Sequence, residues 1–452
     1  MGLKVAVVGA GYLGVTQAAG LADLGHQVTA LDVDEARVRL LSTGRVPFYE
    51  PDLEPMVDKH LTSGRLRFTT SVGWAVSDAE VVLICVGTPQ RRDSDAADLT
   101  QLHSAVTAIA PCLRDGSLVV GRSTVPVGTA AQLAARLEEL APAGVRTEVA
   151  WSPEFLREGH ALNDTLQPDR LVFGVQSAAA EQTLRTLFAD PIRAGSAVVS
   201  CDLPTAELVK VAANSFLATK ISFINAMAEL CERTGADVVT LADAIGHDDR
   251  IGRRFLDAGL GFGGGCLPKD IRAFMARAGE LGADQALSFL REVDAINMRR
   301  RQRMVDLAIE ECAGRVLGRR IGVLGAAFKP DSDDVRDSPA LNVAAQLQLQ
   351  GAHVTVYDPR ANAKAAAVFP TLGYADRVET AADGAHLIMH LTEWPEFVAL
   401  DPARLSPVVA CRRVLDGRNK LPVDRWLAAG WTYRALGRPA EHHRDDAGSG
   451  PR

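Results

Sequence analysis

The run Gly261-Phe-Gly-Gly-Gly-Cys266-Leu-Pro-Lys-Asp270 places one thiol behind a cluster of glycines and ahead of a Lys-Asp pair. Glycine lets the main chain approach a ligand closely and adopt torsions that other residues avoid. A cysteine presented there can meet a substrate carbonyl with little steric hindrance. Lys269, together with a helix start near Asp270, would favour the thiolate, which is the reactive form. The bland alternative is a glycine-rich turn around a structural cysteine, and the rest of the chain must decide between the two.

A second chemically meaningful group stands at the N-terminus. Gly9-Ala-Gly11-Tyr12-Leu13-Gly14 follows a strand-like run at 5–8 and opens a helical run at 11–24, and Asp32 ends the next strand-like run. Strand, glycines, helix and a terminal acid in that order bind a dinucleotide. The glycines make room for the pyrophosphate at the helix N-terminus, and the acid takes the adenosine ribose. A carboxylate at Asp32 repels a 2′-phosphate and selects NAD over NADP, with Arg37 near enough to bear on that choice. Val86-Gly-Thr88-Pro89 and Ser123-Thr124-Val-Pro-Val-Gly128 each close a strand-like run. As carboxyl ends of strands in one sheet, they point to a shared cleft.

The elements that must position these groups alternate. Strand-like runs at 5–8, 28–31, 81–86, 118–120 and 149–151 take turns with helical runs at 11–24, 34–42, 100–113 and 128–140, which implies a parallel, doubly wound sheet. From 205 to 233 there is neither Gly nor Pro, and apolar residues recur at helical spacing, so one long helix is expected, closed by Gly235. A further helical stretch follows Asp270, breaks near Gly282 and runs to about Cys312. A third part begins near Val316, with strands at 320–325 and 353–358 around a helix at 339–350. The chain thus carries two dinucleotide-fold-like halves, the second with an incomplete glycine pattern.

Composition narrows the class. With 452 residues, 47% apolar and 23% charged, the chain is globular and of two or three domains. A net charge of −7 argues against a general nucleic-acid binder. No apolar run approaches the roughly 20 residues of a membrane span. The N-terminus lacks a signal-peptide layout, so a cytoplasmic location is expected. The seven cysteines are scattered and never form C-x-x-C, which fits reduced thiols and disfavours a zinc site. The polar tail after Gly437 reads as disordered, and its His442-His443 pair as solvated and not metal-binding.

Together with Ser152-Pro-Glu154-Phe155-Leu156-Arg-Glu158, Glu207-Leu-Val-Lys210-Val-Ala-Ala-Asn214, Asp249-Arg250-Ile-Gly and Phe328-Lys329-Pro-Asp-Ser-Asp-Asp-Val-Arg336, these motifs resemble the UDP-glucose/GDP-mannose dehydrogenase family from about residue 3 to residue 436. The resemblance implies two Rossmann-like doubly wound α/β domains joined by a long central helix and a helical dimerisation region. The expected divisions are 1–203 for NAD, 204–314 for the central helical part, 315–438 for a C-terminal UDP-sugar domain, and 439–452 for the tail. It also implies a homodimer or higher homo-oligomer with no membrane or nucleic-acid partner. The implied activity is a four-electron oxidation of the 6-hydroxymethyl group of a nucleotide sugar, UDP-glucose first among them, to the carboxylate with two NAD+. GDP-mannose or a UDP-N-acetylhexosamine is the alternative substrate, and a non-catalytic nucleotide-sugar-binding protein the alternative of another class.

Residue by residue, the resemblance makes Cys266 the nucleophile that captures the C6 aldehyde. Lys210 and Asn214, four apart on one helix face, become oxyanion stabilisers. Asp270 and Thr124 hold a water and assist the first proton removal, and Glu154 is the general base for thioester hydrolysis. Glu158, Lys269 and Arg336 fall on the cofactor side. Burial of Glu154 and Glu158 close together would push their pKa values apart. Phe155, Leu156, Phe255, Leu256, Gly259, Phe262 and Gly263 line the sugar diphosphate, with Lys329 and Arg418 beside it and Arg250 reaching in from a partner subunit. The chain departs from the family pattern at Gly265, commonly serine, and at Ala226, commonly glutamate.

Overall fold

The computed structural model describes residues 2–439, so most of the expected tail, His442 and His443 included, lies outside the described residues. The described residues form two compact units, one of residues 2–213 with 269–284 and one of residues 214–268 with 285–439.

The first unit is built on an eight-stranded sheet: β1 Lys4–Val8, β2 Gln27–Leu31, β3 Leu66–Thr69, β4 Val81–Ile84, β5 Leu118–Gly121, β6 Glu148–Trp151, β7 Arg170–Gly174 and β8 Ala197–Cys201. Its spatial order is β3-β2-β1-β4-β5-β6-β7-β8. The inner strands are apolar without alternation, as β4 (VVLI, buried throughout) shows, because both faces are covered. Alternate residues of β1 serve different layers. Val5 and Val7 pack into one core, Ala6 and Val8 into the other. That period of two in a strand wrapped on both sides makes the fold doubly wound. Pairing is parallel except between β6 and β7, which meet antiparallel at Trp151 and Gly174. The expected parallel sheet is corrected at that one junction. Strands β3, β7 and β8 were also not anticipated. Of these, β8 is an edge strand with a largely exposed pattern.

The second unit carries a six-stranded, all-parallel sheet: β9 Arg320–Leu324, β10 His353–Tyr357, β11 Gly373–Tyr374, β12 Leu387–His390, β13 Arg413–Asp416 and β14 Thr432–Ala435. Its order, β11-β10-β9-β12-β13-β14, repeats the arrangement of the first six strands of the other sheet. At the end of β10, Asp358 occupies the place Asp32 holds after β2. Its carboxylate is taken up by the amides of Ala326 and Ala327 and the indole of Trp394, so here the acid serves the fold.

The long helix spans Leu203–Thr234 and stops where Gly235 turns left-handed at φ 75°. The helix that carries Asp270 begins earlier than expected, at Leu267, directly after Cys266. Pro268 is compatible with this because first-turn amides have no partner inside the helix.

Candidate active site

The dinucleotide turn is shaped by close approach. A Cβ on Gly14 would lie 1.7 Å from the Gly9 carbonyl oxygen, so helix and strand can meet only through glycine. At Gly11 the corresponding space is open, and Gly11 caps the helix Tyr12–Asp23 with no side-chain hydrogen bond, which suits a phosphate at the helix N-terminus. Asp32 is buried. Its Oδ2 accepts from the Ala10 amide (2.8 Å) and the Arg37 guanidinium (3.0 Å), and its Oδ1 from the Asp34 amide (2.9 Å). Arg37 is thereby held on Asp32, which fixes the direction of the carboxylate. These residues fit NAD.

Glu50 belongs to this region and was missed. Buried, it accepts the Tyr12 hydroxyl and the amides of Gly159 (2.6 Å) and Ala161 (2.7 Å). Burial, the bond to Glu50 and the negative charges of Glu50 and Glu158 push the Tyr12 phenol far up. Glu50 ties the first turn of the cofactor helix to the loop after Glu158. Its signal in the sequence is a lone acid in a Phe-Tyr-Glu-Pro loop, whose amide partners stand more than a hundred residues away. Glu50→Leu, which leaves two buried amides without an acceptor, is expected to lower unfolding stability by about 1–3 kcal/mol per amide in urea titration. Under the same change the KM for NAD+ should rise.

A pocket in the first unit gathers Thr88, Thr124, Lys269 and Asp270 with Val211, Phe274 and Arg277. The Thr88 hydroxyl donates to the Thr124 carbonyl (2.7 Å), stitching the two strand-end loops together. Lys269 Nζ stands 2.5 Å from Asp270 Oδ1, and Asp270 is buried. The loop after Thr124 is clamped from two sides. Glu207, on the long helix, accepts from Gly128 N (2.7 Å) and Ala130 N (2.6 Å), with burial raising its pKa, and Arg277 donates twice to the Val127 carbonyl. One turn beyond Glu207, Lys210 Nζ meets Glu154 Oε1 at 3.2 Å, with both side chains largely buried. The other oxygen of Glu154 accepts from the Leu156 amide. Phe155 lies under the Arg170 guanidinium at 3.9 Å and within 5.5 Å of Lys210. The close ionic partner of Glu154 is thus Lys210, while Glu158 acts on Tyr12. Asn214 is buried on the same helix face as Lys210.

In the second unit, Cys266 is exposed. The loop before it is fixed by Asn297, which exchanges hydrogen bonds with the Phe262 main chain (2.7 and 3.0 Å), and by the bond from Gly264 N to Arg336 O (2.9 Å). A Cβ on Gly261 would lie 2.3 Å from Asn297 Oδ1, one on Gly263 2.3 Å from the Asp337 carbonyl, and one on Gly264 2.8 Å from the Phe328 ring. These glycines therefore admit the protein's own chain on the side where a Cβ would stand. The departure at Gly265 has a local counterpart, since a Cβ there would meet the Arg336 guanidinium at 2.3 Å. Arg336 chelates Asp334 (2.7–3.0 Å).

The remaining sugar-side residues divide. Leu256 and Phe262 are buried side chains. Gly259 meets the Gly417 carbonyl, which a Cβ would approach to 2.7 Å. Phe255 is half-exposed and left-handed (φ 66°), Lys329 lies 5.8 Å from the Phe328 ring, and Arg250 is 88% exposed and hooked to Asp248. Arg418 donates to the carbonyls of Leu391 (2.8 Å), Gly261 (3.2 Å) and Phe328 (3.2 Å), and pairs with Glu393.

An NAD-type turn and polar clefts at strand ends define a dinucleotide-dependent oxidoreductase, and comparison with known proteins names its kind. The NAD binding, central and UDP binding domains of the UDP-glucose/GDP-mannose dehydrogenase family match residues 3–192, 204–299 and 322–422. A UDP-glucose 6-dehydrogenase of Rhizobium meliloti is 40% identical over 97% of this chain and 100% of its own length; one of Bacillus subtilis, TuaD, is 39% identical over 97% and 94%. The structure of a UDP-glucose dehydrogenase from Pyrobaculum islandicum superposes with a TM-score of 0.89 at 38% identity, covering 97% of this chain and 98% of that one. A UDP-D-ManNAc dehydrogenase from Pyrococcus horikoshii follows at TM-score 0.83 and 28% identity, covering 96% and 99%. The chain belongs to the UDP-glucose/GDP-mannose dehydrogenase family and uses NAD.

Proposed function

We propose that the chain oxidises UDP-glucose to UDP-glucuronate in two successive two-electron steps through a covalent intermediate on Cys266. The observation that carries the covalent reading is that, of seven cysteines, Cys266 is the exposed one, and it sits at the head of a helix. That position favours a thiolate. NAD+, when bound, supplies the hydride acceptor in both oxidations. In the first, Asp270, Thr124 and Lys210 take up the proton and charge of the C6 hydroxyl. The Cys266 thiolate then adds to the C6 aldehyde, a C–S bond forms, and the oxygen takes a proton to give a thiohemiacetal. Lys210 and Asn214 stabilise its oxyanion during oxidation to the thioester. Glu154 activates a water that attacks the thioester carbonyl. The C–S bond breaks, and the thiolate and the carboxylate separate. One sugar, two NAD+ and one water give the acid, two NADH and three protons.

UDP-glucose is preferred over GDP-mannose or a UDP-N-acetylhexosamine because the relatives near 40% identity are UDP-glucose 6-dehydrogenases, whereas the UDP-D-ManNAc enzyme stands at 28%. The test is NADH formation with a panel of these nucleotide sugars. Turnover confined to UDP-glucose supports the reading. Turnover of another sugar alone overturns the substrate, and turnover of none leaves a binding protein.

We further propose a homodimer through the long helix, on the basis of a seven-residue repeat of exposed apolar side chains: Phe216 (67%), Phe223 (49%) and Leu230 (57%). Arg250 of one subunit then completes the sugar site of the other. Phe223→Glu is expected to shift the chain to a monomer in light scattering coupled to gel filtration, with activity falling in step. Among the described residues no helix is long and apolar enough to cross a membrane.

A further inference from the structure

At the carboxyl ends of β12 and β13, His390 and Asp416 are register partners, and neither side chain is exposed. The Asp416 carboxylate accepts from His390 Nδ1 (2.9 Å), Arg418 N (2.9 Å), Lys420 N (2.9 Å), Leu421 N (2.8 Å) and the Tyr433 hydroxyl (3.0 Å). Burial opposes its charge, but His390 and the Leu421 and Arg418 amides prevail and hold the carboxyl at about 2. One carboxylate thus fixes the whole turn from 416 to 421.

That turn is threaded against the segment leading to Cys266. Leu260 N donates to the Gly417 carbonyl (3.1 Å), and a Cβ on Gly417 would come within 2.2 Å of the Leu260 side chain. Arg418 reaches the Gly261 and Phe328 carbonyls, and the Phe328 ring fills the space beside Gly264. Asp416, Arg418, Phe328 and Gly264 therefore form a chain of direct contacts that ends two residues before the thiol, and Arg418 holds Gly261 as well.

We infer that Asp416 is a positioning residue for the cysteine loop: it orients the turn that braces residues 260–264 and so sets where the Cys266 thiol stands. It touches no reacting atom. The inference rests on the proposed role of Cys266 for its catalytic consequence, but not for its structural one. An uncharged isostere keeps the volume while it weakens the acceptor for four N–H groups and a hydroxyl.

The test is Asp416→Asn in the full-length protein, read by the rate of Cys266 alkylation with iodoacetamide, by kcat and KM, and by circular dichroism. A folded variant is expected to change the alkylation rate at least about fivefold and to lower kcat at least tenfold, with the KM for NAD+ within about twofold. Tyr433→Phe removes one donor only and keeps the measurement open if the first variant does not fold; its alkylation rate should move in the same direction by a smaller factor. Wild-type alkylation and kcat in folded Asp416→Asn, or in Tyr433→Phe should the first variant not fold, overturn the inference. A changed alkylation rate with unchanged kcat upholds the positioning and instead counts against Cys266 as the nucleophile.

Discussion

Serine in place of Cys266 is expected to lower UDP-glucuronate formation on the order of 10³-fold or more, while UDP-glucose and NAD+ still bind. The hydroxyl is nearly isosteric with the thiol, so the braced loop survives. It is, however, a far weaker nucleophile near neutral pH, and the 261–270 segment holds no second thiol. Aldehyde-level chemistry from the first oxidation should persist at a low level, because that step draws on Lys210, Thr124 and Asp270 and not on the thiol. Product analysis by anion-exchange chromatography checks this. Acid formation at the wild-type rate would show that the aldehyde is oxidised without covalent capture.

The second large effect is expected at Lys210. Its ammonium is buried and lies 3.2 Å from Glu154, so it neutralises the group proposed as the base and offers a fixed positive charge to developing alkoxide and oxyanion. Removal of one such preorganised donor typically costs about 10²–10³ in kcat. Lys210→Met should show a loss of that size with a smaller change in KM. It also strands the Glu154 carboxylate, and breaking a buried pair destabilises a fold by roughly 3–5 kcal/mol. The double variant Lys210→Met/Glu154→Gln should therefore recover part of the stability but none of the rate. Thermal denaturation and kcat measured on the same samples separate the two effects. A single variant that loses stability while keeping kcat would reduce Lys210 to a structural ion pair.

The alternation of apolar strands with amphipathic helices was readable in the sequence because inner parallel strands are uniformly apolar, and the uninterrupted stretch before Gly235 announced the long helix. The glycine turn and Asp32 were readable because their roles are local, within one strand–turn–helix unit. The residues that stayed hidden are buried acids whose partners are main-chain amides far along the chain. Glu50 serves residues 159–161, Glu207 serves residues 128–130, and Asp416 holds the turn against the cysteine loop. A carboxylate that accepts amide hydrogens leaves no periodicity and no pairing residue type to read. The packing around the glycines before Cys266 stayed hidden for a related reason. The space each provides is filled by Asn297, Asp337, Phe328 or Arg336, which only the tertiary structure brings there.

The central claim is a four-electron oxidation completed on one enzyme. Its most direct measurement is the number of NADH formed per UDP-glucose consumed, with NAD+ in excess and the sugar limiting. Two NADH per sugar, with UDP-glucuronate as the product, is the expected result. One NADH per sugar, with the aldehyde accumulating in solution, would contradict it.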